Sequence, residues 1–132
     1  MKISRTESHA KPTKAVAAAV IPAKTPVSLG VNGFTVWLGT GSLHGFSRTA
    51  LALGAIGSAT KKEDAYVEVY MVGATTPYVV GDVVAFTYSG GNYTIANGTG
   101  AYVTGIRAYM PQKDIGVVPT IAGHFIEIGF YG

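Results

Sequence analysis

Seven carboxylates and three histidines are the acid–base inventory of this 132-residue chain. The carboxylates are Glu7, Glu63, Asp64, Glu68, Asp82, Asp114 and Glu127, and the histidines are His9, His44 and His124. Two carboxylates brought together can work as an acid and a base, and Glu68 with Glu127 are the pair that internal symmetry could join. Each also alternates with apolar residues, in YVEVY and FIEIG. That pattern places both on the solvent face of a strand. His9, His44 and His124 fall in an N-terminal segment, a loop and a strand start, without a carboxylate cluster to complete a metal shell. Ser-x-x-Lys occurs at Ser8–Lys11 and at Ser58–Lys61, without the companion motifs that would make it an acylation site. Gly39-Thr40-Gly41 and Gly98-Thr99-Gly100 fit neither phosphate-loop pattern and read as turns. No catalytic residue, metal or cofactor is therefore expected.

The elements that would position any site are β-strands. The chain has 18 glycines, no cysteine and only 13% charged residues, with 48% apolar. It is long enough for one domain with one modest core, and disulfides and thiolate metal sites are excluded. So few charges leave a bland surface, which suggests that part of it is covered by a partner. The apolar run Ala15–Ile21 is too short to cross a bilayer, and Pro22, Lys24 and Pro26 prevent its extension. Positive charge concentrates at the start. Residues 1–24 hold Lys2, Arg5, Lys11, Lys14 and Lys24 against Glu7, a net of +4, whereas residues 25–132 have a net of −1. Nucleic-acid binding is not expected, because the tyrosines lie in strands where Arg107 is the sole basic residue.

Residues 1–14 show no apolar period. With the apolar stretch after them, they are read as an extended arm, residues 1–23, preceding a single β domain, residues 24–132. Predicted strands are Val27–Leu29, Phe34–Leu38, Ala65–Val72, Val83–Tyr88, Tyr93–Ala96, Tyr102–Tyr109 and His124–Tyr131. Val31-Asn32-Gly33 and Ser89-Gly90-Gly91-Asn92 supply hairpin turns. Short helical turns are expected at Ala50–Ile56 and Lys61–Asp64. Four blocks recur in order: KTPVSL with GDVVAF, FTVWL with YTIAN, Gly45-Phe46 with Gly105-Ile106, and YVEVYMVG with FIEIGFYG. The expected fold is all-β, a small barrel or sandwich of two pseudo-two-fold repeats, with halves 24–73 and 81–132. Phe34, Val36, Val67, Val69, Tyr93, Ile95, Ile126 and Ile128 should face inward, and Glu68 and Glu127 outward.

The opening AKTPVSLG…NGFTV, the run YVVGDVVAFTYSGGNYTIANGTGAYVTGIRAYM and the closing HFIEIGFYG resemble the decoration, or cement, proteins of tailed bacteriophages. That resemblance implies a non-enzymatic clamp on the outer capsid surface of the virion, commonly a homo-trimer. Its partner would be the major capsid protein, with no nucleic acid and no membrane involved. The arm would be the contact, through Lys2, Arg5, Lys11, Lys14, Val16, Val20, Ile21 and Lys24. Two other readings stand beside it. One is a carbohydrate- or host-surface-binding β module, for which Trp37 would be the exposed platform. The other is a small β enzyme built around Glu68, Glu127 or His124.

Overall fold

In the computed structural model the described residues are 2–6, 11–70, 81–96, 105–111 and 125–131. They form β1 (Lys2–Thr6), β2 (Thr13–Val16), β3 (Pro26–Gly30), β4 (Gly33–Val36), β5 (Gly45–Ser47) and β6 (Ile56–Lys61). A turn of 3-10 helix at Lys62–Asp64 leads to β7 (Ala65–Tyr70), β8 (Val83–Ser89), β9 (Asn92–Ala96), β10 (Ile106–Tyr109) and β11 (Phe125–Phe130). The fold is all-β. Its two open sheets pack as a sandwich, so of the two architectures expected the sandwich is found and the closed barrel is not. The helical turn expected at Ala50–Ile56 is absent. Leu51 bridges to Ile21, and a backbone turn from Ala52 to Ala55 feeds β6.

One sheet runs β2-β6-β5-β3-β4 and the other β1-β7-β11-β10-β8-β9, with every neighbour antiparallel. Counted from β2 and from β7, the two sheets have the same strand order, and among the described residues β1 is the one strand added outside it. In this correspondence β11 stands with β6, whereas the sequence blocks set β11 against β7. Those two strands are instead direct neighbours, with Glu68 opposite Glu127.

Both edge hairpins result from turn chemistry. Between β8 and β9, Gly90 (φ 58°) and Gly91 (φ 84°) take the two left-handed positions of a two-residue turn. Between β3 and β4 the loop is Val31-Asn32, and Gly33 comes next at φ 112°. There a side chain has no room, because a Cβ would collide with the Val16 carbonyl oxygen. This approach lets Ala17 bridge Phe34 in parallel and draws the two ends of the five-stranded sheet together.

The main core lies between the sheets. Val67, Val69, Val84, Phe86, Ile95, Ala108, Ile126, Ile128 and Phe130 come from the six-stranded sheet and meet Trp37, Leu43 and Phe46. A second cluster, Ala17, Ile21, Val27, Phe34, Leu51 and Ala59, belongs to the five-stranded sheet alone. Phe34, Val67, Val69, Ile95, Ile126 and Ile128 are buried as expected, and Val36 and Tyr93 are partly covered at the margins. Glu127 departs from expectation. It lies on the outer face of its strand but is only 2% exposed, because β1 covers it.

The N-terminal segment is likewise not a free arm over its described length. Lys2–Thr6 pairs with β7 and Thr13–Val16 with β6. Sheet edges bind such residues through backbone hydrogen bonds, which need no apolar period.

Two substitutions test this packing. Gly33→Ala combines a strained φ with a clash against backbone and should lower stability by at least about 2 kcal/mol in urea denaturation. Ile128→Ala should cost about 3 kcal/mol through lost burial and a cavity. An unchanged midpoint for either variant would contradict the assignment.

Candidate partner-binding surfaces

The eight residues expected to bind a partner separate into three environments. Ile21 is fully buried and belongs to the inner cluster of the five-stranded sheet, so it is a core residue rather than a contact residue. The reason is local. Ile21 and Leu51 exchange backbone hydrogen bonds of 2.9 and 2.7 Å, which turn both side chains inward. Lys2 and Arg5 lie in β1. Lys11, Lys14, Val16, Val20 and Lys24 remain exposed, and Lys24 sits in the left-handed region at φ 54°.

Around Ala17 the chain builds an apolar end. Ala17 donates to the Ala55 carbonyl and accepts from the Gly54 amide, both at 2.8 Å, and Ala18 donates to the Phe34 carbonyl at 2.9 Å. Val16 is the register partner of Ile56. These bonds hold the segment after β2 against the turn before β6 and leave four aliphatic side chains facing water. Val20 is 72% exposed, Leu53 69%, Ile56 79% and Val16 38%. Val31 extends fully from the hairpin whose Gly33 rests on Val16. Lys14 shares the outward side of β2 with Val16, two residues apart. Leu53, Ile56 and Val31 did not figure among the expected contacts. The turn that presents Leu53 and Ile56 lies in a stretch, ALALGAI, that reads as helical.

Comparison with protein-family models, with curated proteins and with solved structures found no match.

The other surface is the outer face of the six-stranded sheet. The Arg5 guanidinium lies 4.0 Å from the centre of the Tyr66 ring, and its Nη2 is 3.5 Å from Glu127 Oε1. Ser4 sits at the irregularity in the β1–β7 register. Its hydroxyl approaches the Tyr66 carbonyl at 2.7 Å and Glu127 Oε2 at 2.5 Å. Tyr66 meets Tyr109 edge-on, Tyr109 meets Tyr131, and Arg107 caps Tyr131 at 5.1 Å. Gly129 makes room for this row, since a Cβ there would lie 2.5 Å from the Tyr109 ring.

Among the described residues, Trp37, Gly41 and His44 make structural contacts. Trp37 is 1% exposed and stacks on Phe86 and Tyr93 at 5.4 and 6.2 Å. It is therefore no sugar platform. Its Nε1 donates to the Gly41 carbonyl at 3.1 Å, which ties the Gly39-Thr40-Gly41 segment to the indole. Ser58 and Lys61 are three apart on β6 and so face opposite ways. His44 Nε2 bonds Thr13 Oγ1 at 2.8 Å and ties β2 to the loop before β5. Burial lowers its pKa; Glu63 opposes this, and Lys61 and Lys62 add to it. Among the described residues no cluster of three His, Cys, Asp or Glu could hold a metal, and no helix is long and apolar enough to cross a membrane. Glu7, Ser8, His9, Gly98–Gly100, Asp114 and His124 lie outside the described residues.

Two spectroscopic results are expected. The emission of Trp37, the single tryptophan, should be blue-shifted and resist iodide until the protein unfolds. Tyr93 and Tyr109 should ionise late in an alkaline titration, because burial raises both to about 12, with the Tyr66 hydroxyl adding to the shift at Tyr109. A raised acid pKa favours the folded state below the unfolded value. Their contribution is therefore intact below about pH 10 and lost as pH rises towards 12. Ionisation of Tyr93 and Tyr109 near pH 10 with no loss of structure would contradict this.

Proposed function

We propose that the chain is a structural decoration protein. It binds the outer surface of a phage capsid as a homo-trimer and reinforces contacts between capsomers through the major capsid protein. The observation that supports this reading is the apolar end formed by Val16, Val20, Val31, Leu53 and Ile56. Aliphatic side chains held rigidly outward by backbone hydrogen bonds lose little freedom on docking, so their burial contributes directly to affinity. A ligand that favours the assembled shell over separate subunits stabilises the shell by mass action. Each copy needs only a contact of about 800 Å² per partner, and three linked copies would release slowly even if each contact is weak.

The second reading is a module that binds a host surface or carbohydrate. With Trp37 buried, it would rest on the row Tyr66, Tyr109, Tyr131 and Arg107. The two readings place the binding surface on different sheets.

Deleting residues 1–20 cannot separate them, since it would remove two paired strands. Surface substitutions do. Val20→Asp with Ile56→Asp should leave the melting temperature unchanged, because both side chains are exposed, and should reduce co-sedimentation with purified capsids by tenfold or more, about 1.4 kcal/mol. Lys11→Glu with Lys14→Glu should mainly slow association at low salt. Capsid retention that falls with Tyr131→Ala, but survives the apolar substitutions, would move binding to the six-stranded sheet. Absence of the protein from purified particles, with glycan binding lost in Tyr131→Ala, would favour the second reading.

A further inference from the structure

We propose that the outer edge of β7 is a strand-exchange site whose occupant, besides the chain's own β1, is the β1 of a second copy. The inference is independent of the capsid reading.

The edge is a selective one. Along it run the backbone groups of Ala65 to Glu68, and beside it lies the buried carboxylate of Glu127 on β11. Whatever pairs with β7 brings its side chains onto that carboxylate, so a strand that carries donors there is favoured. β1 supplies two at once. The register slips between Ile3 and Arg5, and the extra residue, Ser4, directs its hydroxyl to Glu127 Oε2 and to the Tyr66 carbonyl. The next residue, Arg5, adds its guanidinium to Glu127 and covers the Tyr66 ring. Ile3 packs against the inter-sheet core. The site therefore fits a short extended segment with the order apolar, hydroxyl, guanidinium. Lys2–Thr6 meets that description, and every copy of the chain has it.

Three features make a second copy the natural donor. β1 lies outside the strand order that the two sheets share, so its departure alters no other strand pairing. Its link to β2 is six residues, 7–12, and β2 belongs to the other sheet, so β1 and its neighbour in sequence share no ladder. Exchange also preserves every contact, because the same residues pair with the same partners across the chain boundary. The balance between the two forms then rests on the hinge and on protein concentration. Reciprocal exchange closes a dimer. Exchange passed from copy to copy closes a ring.

The chain lacks cysteine, so single thiols give a clean test. Lys2 and Glu68 are register partners. A Lys2→Cys chain and a Glu68→Cys chain are mixed, unfolded in urea, refolded together and mildly oxidised. The control replaces Glu68→Cys with Asn92→Cys, an exposed position at the start of β9. Exchange predicts a disulfide-linked heterodimer that forms about a hundredfold faster than in the control, since paired strands hold the thiols at millimolar effective concentration. The doubly substituted Lys2→Cys, Glu68→Cys chain should close on itself when dilute and give linked oligomers when concentrated. Heterodimer at the control rate, or a double variant that only ever closes within one chain, would overturn the proposal. Failure of the double variant to close at all would overturn it too, by showing that β1 does not lie on β7.

Discussion

The sandwich depends on how few side chains the five-stranded sheet offers to its neighbour. Trp37 and Phe46, with Leu43, carry that contact. Phe46 sits on a strand of three residues, all buried, and meets Phe130 at 5.6 Å. Trp37 comes directly after β4 and stacks on Phe86. Each large aromatic buries about 150–250 Å², worth up to about 4–6 kcal/mol at 25 cal/mol per Å². Polar atoms fix the indole in place. The ring nitrogen donates to Gly41, and the Trp37 carbonyl accepts the Tyr93 hydroxyl at 2.6 Å. That second bond crosses from one sheet to the other, so the packing contact also sets how the sheets are positioned. The same environment explains why the Tyr93 phenol is hard to ionise.

Two sheets with one strand order still face the problem of open edges, and they solve it differently. In the five-stranded sheet the chain after β2 turns onto β4, and the parallel bridge from Ala17 to Phe34 occupies the outer side. Gly33 makes that approach possible, because any side chain there would meet the Val16 carbonyl. In the other sheet the corresponding strand, β7, receives a separate strand, β1. Unprotected edges invite uncontrolled pairing. One edge is thus closed by the fold itself and the other by a strand added from outside the shared order. This difference makes the β7 edge the replaceable one.

Where the sequence alternated, the strands were legible. β3, β4, β7, β8, β9, β10 and β11 all fall within or beside predicted runs, and the glycines locate both hairpins. β5 and β6 were missed for opposite reasons. Gly45–Ser47 is too short to show a period, and IGSATK mixes small and polar residues because cross-strand neighbours cover it. β1 and β2 pair chiefly through backbone, which leaves no apolar signature. The same limit applies to the candidate surface. In AVAAAVI nothing distinguishes Val20, which faces water, from Ile21, which is fully buried; only the backbone bonds to Leu51 decide it. Leu53 and Ile56 were hidden by a run of helix-forming residues that a turn at Ala52–Ala55 overrides.

Glu127 shows why alternation alone misjudges a residue's environment. Alternation correctly assigned it to the outer face, but outer does not mean solvated once another strand lies over that face. The residue opposite is Glu68, and like charges directly across a strand pair are unfavourable. Cationic and hydroxyl groups nearby offset such a pair, and Ser4 and Arg5 bring both to Glu127. The positive balance of the first 24 residues therefore has an internal use. Arg5 reaches Glu127 and the Tyr66 ring while remaining exposed itself, and Lys11, Lys14 and Lys24 are exposed as well. Of these, Lys14 lies beside Val16 on the outward side of β2. Lys11, Lys14 and Lys24 lie in or beside β2 and β3, on the same sheet that carries the exposed aliphatic end.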